Sequence, residues 1–136
     1  MDKIKYVVGF LFSPDYKKVV LINKNRPEFQ RGLYNGVGGR IEENETPADA
    51  MSREFMEETG VLINDWKEYA ILDGDCIVYV FSASSEKYDE VKTQTDERIE
   101  IIYTFEVSTL KIMPNLRWLI PMALDANHIH CLAKFI

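Results

Sequence analysis

The sequence lacks the features of a secreted, membrane-spanning or zinc-binding protein. Its only cysteines are Cys76 and Cys131, and their wide separation favours two reduced core thiols over a disulfide or a zinc site. The early apolar run from Tyr6 to Phe12 is too short to cross a bilayer, and no small-residue cleavage site follows it. We therefore expect a cytoplasmic protein with no membrane partner.

Histidine and excess basic charge are also scarce. His128 and His130 lie near the end of the chain, and no serine has the strand–turn–helix context of a nucleophile elbow, so Ser–His chemistry is not expected. Lys and Arg number 16 against 22 Asp and Glu, for a net charge of −6. This balance argues against a nucleic acid polymer as partner, because phosphate backbones are held by basic surfaces. A small phosphorylated ligand is still compatible, since a bound divalent metal can reverse the local charge.

The pattern of apolar residues predicts one α/β domain over residues 1–136. The composition, 46% hydrophobic and 28% charged, suits a single core. Runs rich in β-branched and aromatic residues predict strands at 5–12, 18–23, 66–73, 75–82 and 99–107. Helices are expected over 46–60 and 115–124, a long polar loop over 83–98, and either a strand or a packed tail over 131–136. Strands on both sides of a helix, with a second helix near the end, indicate a sheet between helices.

The first of these helices has well-marked ends. Thr46 is a good N-cap, Pro47 suits the first helical position, and Gly60 suits the position just after the last turn. An apolar stripe of Ala48, Met51 and Phe55 is expected to face the core. The glutamates beside that stripe should therefore line a cleft at the margin of the buried face.

Glu54, Glu57 and Glu58 stand at i, i+3 and i+4 on this helix, where like charges repel. Such a cluster is expected to hold a cation. With no Cys or His nearby, the cluster selects a hard ion, Mg²⁺ or Mn²⁺, and Mg²⁺ commonly completes its shell with substrate phosphates. A glycine-rich turn, Gly36 to Gly39, precedes the helix and could direct a backbone carbonyl at the ion.

Basic residues flank this acidic segment. Lys24, Arg26, Arg31 and Arg40 could hold phosphates, or could equally form a solvated loop rim. The combination with the acidic helix points to phosphoryl or nucleotidyl chemistry on a diphosphate or triphosphate.

Gly39, Glu45, Arg53-Glu54-Phe55, Glu57-Glu58 and Gly60-Val61 fall at the spacing of the Nudix box, and the segment resembles that of Nudix hydrolases at every defined position. The resemblance implies an α/β/α sandwich around a mixed sheet. It implies hydrolysis of a nucleoside diphosphate linked to another group. It also implies metal ligation by Glu54, Glu57, Glu58 and the Gly39 carbonyl, with Glu54 and Glu57 in catalysis, and a structural pair between Glu45 and Arg53.

A further metal ligand or general base often comes from a loop before a late strand in this family. Thr95-Asp96-Glu97-Arg98 is similar to that loop, so Glu97 is the candidate and Glu100 the fallback. The base is then either Glu97 or a glutamate of the box.

The segment Leu33 to Gly39 resembles the MutT-like branch that hydrolyses nucleoside triphosphates, including oxidised purine forms. By this resemblance Asn35 contacts the base and Trp118 lines the base pocket, although the acidic pair used by that branch is not evident before Trp118. The leading hypothesis is a Mg²⁺-dependent hydrolase that releases a nucleoside monophosphate and pyrophosphate.

Three alternatives are left open. The substrate could be another nucleoside diphosphate compound, such as a dinucleoside polyphosphate, ADP-ribose or a nucleotide sugar. ADP-ribose hydrolases typically carry a proline some fifteen residues after the box, and none lies between Val61 and Pro114. A non-catalytic nucleotide-binding regulator is also compatible with the fold. A homodimer is a further possibility that the sequence does not decide.

Overall fold

The computed structural model describes residues 2–136 and contains one mixed β-sheet with a helix on each face. The strands are β1 (Lys5–Phe12), β2 (Lys18–Asn23), β3 (Tyr34–Asn35), β4 (Val37–Arg40), β5 (Lys67–Asp73), β6 (Ile77–Ser84), β7 (Arg98–Tyr103) and β8 (Cys131–Lys134). The helices are α1 (Pro47–Thr59) and α2 (Leu116–Ala123), with short 3₁₀ turns at Glu28–Gln30, Glu86–Glu90 and Thr104–Thr109.

Strand β1 is the centre of the sheet. One edge of β1 pairs in parallel with β6 along its whole length. Its other edge pairs antiparallel with two strands in turn, β4 near its start and β2 near its end. Strand β2 continues the sheet to β3 and β7, both antiparallel to it. Strand β5 pairs antiparallel with β6 and in parallel with β8. The mixture of parallel and antiparallel pairs confirms the predicted α/β architecture.

The alternation of side chains along β1 divides the interior into two cores, because successive residues of a strand point to opposite faces. Val8, Phe10 and Phe12 pack with α2 in one core. Val7 and Leu11 pack with α1 in the other. Phe10, Leu11 and Phe12 are fully buried, so β1 is apolar on both faces, as expected of a strand covered by helices on either side.

Helix α1 forms where the sequence predicts it. The Thr46 side chain accepts a hydrogen bond from the Asp49 N–H at 3.1 Å, and Pro47 occupies the first turn. Gly60 ends the helix in the left-handed conformation, at φ 78°. The predicted apolar stripe is partly wrong: Ala48 is exposed, and the buried alanine is Ala50. The buried face of α1 therefore begins at Ala50, two residues later than predicted, and continues through Met51 and Phe55.

Three other elements differ from the sequence expectation. Most of the glycine-rich segment predicted as a turn is strand β4, in which Gly38 and Gly39 pair with β1. Strand β7 ends at Tyr103 instead of residue 107, because Thr104–Thr109 turns as a 3₁₀ helix and buries Val107. The C-terminal segment, whose form the sequence left undecided, becomes β8 and pairs in parallel with β5. None of the helices within residues 2–136 has the length and apolar character needed to span a bilayer.

Candidate active site

Arg53 is the centre of the polar network on α1. Its Nε and Nη2 donate to the two carboxylate oxygens of Glu45 at 2.7 and 3.0 Å, which is the bidentate geometry that guanidinium groups favour. Nη2 also donates to the Arg40 carbonyl at 3.0 Å, and Nη1 donates to Glu54 and Glu57 at 3.0 and 3.2 Å. The hydrogen bonds from Arg53 lower the pKa of Glu45. One arginine therefore holds the β4 end and the loop before α1 against the acidic side chains.

Glu54 lies directly against Gly39. A Cβ atom added to Gly39 would come within 2.4 Å of the Glu54 carboxyl carbon, so only glycine leaves room for this carboxylate. Burial raises the pKa of Glu54, the Arg53 hydrogen bond opposes that effect, and the charges of Glu57 and Glu58 add to it. The site therefore holds more negative charge than its single arginine offsets.

Glu58 lies on the side of the cluster that faces the loop before β7. Its Oε2 accepts a hydrogen bond from the Thr95 hydroxyl at 3.0 Å. Burial raises the pKa of Glu58, with smaller contributions in the same direction from the charges of Glu97 and Glu57. Glu57 is more open, with 55% of its side chain exposed.

Glu97 is buried and its carboxylate accepts three hydrogen bonds. Its carboxylate accepts from the Asn25 N–H at 2.6 Å, the Arg26 N–H at 3.2 Å and the Lys24 ammonium at 3.0 Å. Burial acts to raise the pKa of Glu97, but the hydrogen bonds from Asn25, Lys24 and Arg26 together lower it. Glu100, the fallback, accepts from the Tyr34 hydroxyl at 2.6 Å and from Nε of Arg98 at 2.9 Å.

A cavity of about 530 Å³ begins at Gly39 and extends along the start of β1. The residues around it come from β1, the loop after β2, strands β3 and β4, and the β5–β6 turn, and they include Tyr6, Lys24, Phe29, Gln30, Asn35 and Cys76. Its size is within the range of small-molecule sites. Gly39 belongs both to the cavity wall and to the contact with Glu54, so the cavity adjoins the acidic cluster.

The structure brings some of the predicted substrate-binding residues to this cavity and leaves others outside it. Asn35 lines it and donates from Nδ2 to the Gln30 side chain at 3.2 Å. Arg26 pairs with Asp96 at an exposed position, and Arg40 is exposed with its carbonyl bound to Arg53. Trp118 is on α2 and is not among the cavity residues.

Sequence reasoning missed Phe29 and Gln30 as cavity residues. Phe29 is 71% exposed although it borders the cavity. A lone aromatic residue in the polar segment between β2 and β3 is unusual, and it was the signal that could have identified this wall.

The acidic cluster suits a divalent metal by its chemistry. Carboxylate oxygens, with no thiol or imidazole nearby, are the ligands that hard cations prefer. Within residues 2–136, no three Asp, Glu, His or Cys side chains already converge as metal ligands. The observed contacts explain this, because Arg53 draws Glu54 and Glu57 to itself and Thr95 holds Glu58. Burial is the main cause of the raised pKa values of Glu54 and Glu58, and the neighbouring carboxylates add to it.

Comparison with known proteins identifies the family. The family model of the NUDIX domain matches residues 3–123 of this chain. The chain belongs to the Nudix family. Nudix proteins bind nucleotide compounds, and the hydrolases of the family generally use a divalent metal.

Solved structures share the Nudix fold at low sequence identity. The NUDIX domain of Shewanella oneidensis NrtR, in complex with ADP-ribose, has a TM-score of 0.79 and 19% identity, covering 91% of this chain and 88% of that one. The MutT protein of Bacillus halodurans has a TM-score of 0.74 and 17% identity, covering 97% and 90%. A Nudix hydrolase from Clostridium perfringens has a TM-score of 0.72 and 19% identity, covering 92% and 98%. These likenesses confirm the α/β/α sandwich.

Proposed function

We propose that this Nudix protein is a Mg²⁺-dependent hydrolase that converts a nucleoside triphosphate to a nucleoside monophosphate and pyrophosphate. The observation that carries the proposal is that Gly39 lies between the cavity and the acidic cluster. It borders a cavity large enough for a nucleobase and also touches the carboxylate of Glu54. A nucleotide whose base enters this cavity would present its phosphates to the acidic face of α1.

The Gly39 carbonyl and the carboxylates of Glu54, Glu57 and Glu58 are the proposed ligands for Mg²⁺, with Mn²⁺ as a substitute. When bound, the metal would neutralise phosphate charge and lower the pKa of a water molecule. Metal ligation would replace the hydrogen bonds of Glu54 and Glu57 to Arg53. The guanidinium would still hold Glu45 and so keep α1 in place.

Glu57 is the box glutamate that we propose as the general base. Its carboxylate is more open than those of Glu54 and Glu97, whose side chains are 13% and 5% exposed. Glu57 would take a proton from water as the water oxygen bonds to phosphorus, and the bridging P–O bond would break to release pyrophosphate. After product release, the protonated carboxyl of Glu57 would return its proton to solvent.

On the binding side, we propose that Asn35 contacts the base. Its side chain is in the cavity, and an amide can both donate to and accept from a purine edge. Phe29 offers an exposed ring for stacking on the same base. Trp118 is not proposed for this role, since it is outside the cavity wall. Arg26 could reach a phosphate only by giving up its pair with Asp96.

A substrate panel tests the function. Turnover of the four dNTPs, 8-oxo-dGTP, ADP-ribose and diadenosine tetraphosphate would be followed by product chromatography, with Mg²⁺ or EDTA. Monophosphate and pyrophosphate from a dNTP are expected, and Glu57→Gln should lower kcat at least about tenfold because a ligand and base is lost. A kcat within about tenfold of wild type in that variant would contradict the assignment.

ADP-ribose is the second candidate substrate. It is favoured by the Shewanella oneidensis NUDIX domain, whose structure holds ADP-ribose in a fold similar to this one. Faster turnover of ADP-ribose than of any dNTP would favour this candidate. No metal-dependent turnover of any compound would instead favour a nucleotide-binding regulator.

A further inference from the structure

Three consecutive side chains between β6 and β7 connect the acidic helix to the cavity wall. Thr95 donates to Glu58 on α1 at 3.0 Å. Asp96 accepts from the Arg26 guanidinium, and Glu97 accepts from Lys24 at 3.0 Å. We name residues 95–97 the bridge. Each of its side chains is engaged, and two of the three reach the segment that follows β2.

Within the bridge, Glu97 makes the contacts that are shielded from water. Only 5% of its side chain is exposed, against 60% for that of Asp96. Because exposed ion pairs contribute little, Glu97 is the member of the bridge that holds the segment after β2 in place. A carboxylate offers about four acceptor sites, and two backbone N–H groups and one ammonium already use three of them.

The segment held by Glu97 forms one wall of the cavity. Lys24 lines the cavity, and so do Pro27, Phe29 and Gln30 in the loop that follows. The loop is closed at its base by two backbone hydrogen bonds, from Lys24 to the Leu33 carbonyl and from Gly32 to the Lys24 carbonyl, at 2.9 and 2.7 Å. Glu97 holds the first residues of this loop, Lys24 to Arg26. It therefore determines the position of this cavity wall relative to the acidic cluster.

We propose that Glu97 is a positioning residue for the nucleotide: it holds Lys24 and the Asn25–Arg26 backbone so that the 24–33 loop shapes the cavity. The proposal rests on the proposed function, and it replaces the base and metal-ligand roles that the sequence suggested for Glu97. Those roles require acceptor sites that no protein donor uses, and the loop already takes three of the about four on this carboxylate. Here the carboxylate is buried and its hydrogen bonds go to the loop.

The test compares Glu97→Gln and Glu97→Ala with wild type and with Glu90→Gln, an exposed acid on the preceding 3₁₀ turn. Glutamine keeps the shape of Glu97 and can still accept from the backbone, but it loses the charge that binds Lys24. Five quantities are measured. They are Mn²⁺ affinity without nucleotide by electron paramagnetic resonance, dGMP affinity by calorimetry, kcat and KM for dGTP, and hydrogen exchange over residues 24–33.

A positioning role predicts a pattern that differs from ligand loss. In Glu97→Gln, KM for dGTP and Kd for dGMP should rise at least about fivefold, as expected for loss of a charged hydrogen bond, with a smaller fall in kcat. Mn²⁺ affinity should stay within about twofold of wild type, and exchange over residues 24–33 should quicken. Glu97→Ala should show larger changes of the same kind, and Glu90→Gln should match wild type.

Three results would overturn the proposal. A tenfold loss of Mn²⁺ affinity with unchanged exchange would make Glu97 a metal ligand. A hundredfold loss of kcat with unchanged KM, and loss of one limb of the pH–rate profile, would make it the base. Unchanged exchange over residues 24–33 in Glu97→Ala would show that it does not hold the loop. If wild type hydrolyses none of the compounds in the panel, the proposed function fails, but exchange still tests Glu97.

Discussion

Replacing Gly39 by alanine should remove metal-dependent hydrolysis while keeping the fold. The added Cβ would lie 2.4 Å from the carboxyl carbon of Glu54 and 2.5 Å from each of its oxygens. Normal contact distances are about 3.5 Å, so the carboxylate must move by roughly 1 Å. A displacement of that size can cost about a hundredfold in rate, equivalent to about 2.7 kcal/mol.

Stability should change much less in this variant. The group that must move is the end of a flexible side chain, so overpacking should cost only about 1 kcal/mol, or a fall in Tm of roughly 4 °C. Gly38→Ala provides the contrast. Its Cβ would lie 1.9 Å from the Val7 carbonyl oxygen, in the paired backbone of β1 and β4, which cannot move without breaking the ladder. We expect it to cost at least about 3 kcal/mol.

Three measurements check the pair of variants: thermal unfolding by circular dichroism, Mn²⁺ affinity by electron paramagnetic resonance, and pyrophosphate release from the best substrate. Gly39→Ala should lose Mn²⁺ affinity and pyrophosphate release but should unfold at close to the wild-type temperature. Wild-type Mn²⁺ affinity together with kcat/KM within about threefold of wild type would refute the assignment of Gly39 and Glu54 to the metal site. Unfolding as severe as that of Gly38→Ala would refute the division of roles between the two glycines.

The remaining predictions concern stability. Arg53→Lys should lower the free energy of unfolding by about 1–2 kcal/mol in urea titrations, because an ammonium cannot reproduce the bidentate contact with Glu45. Glu54→Gln should raise the Tm of the metal-free protein at pH 8 in EDTA. Burial raises the folded pKa of Glu54, so wild type loses stability as pH rises through that pKa, and the gain should vanish near pH 4. An equal gain at both pH values would contradict this reasoning. Tyr69→Phe should destabilise by about 1 kcal/mol through loss of the 2.9 Å hydrogen bond to the Leu119 carbonyl, with hydrolysis unchanged.

Local sequence signals predicted the elements that depend on neighbouring residues. Helix α1 begins after Thr46 and ends before Gly60 because the cap and the left-handed glycine act within one turn of each end. The placement of Glu54 and Glu58 on one side of it follows from helical geometry alone.

Features that depend on distant contacts were harder to predict. The alternation in residues 99–107 favours a strand throughout, but β2, the partner of β7, begins at Lys18, which pairs with Tyr103. The chain turns immediately afterwards. The state of Glu97 likewise depends on donors that are more than seventy positions away in sequence, at Lys24 and Asn25. A local motif can indicate that such a carboxylate is near the site, but not what binds it.

The parallel pairing of β1 with β6 has a consequence for synthesis of the chain. Lys5 pairs with Ile77, so one edge of the central strand waits for a partner that leaves the ribosome after more than half of the chain. Apolar strands with open edges are prone to aggregate. In the nascent enzyme this edge is exposed while β2, β4 and α1 are already available to fold. The order of synthesis therefore leaves this apolar edge open to aggregation until β6 emerges.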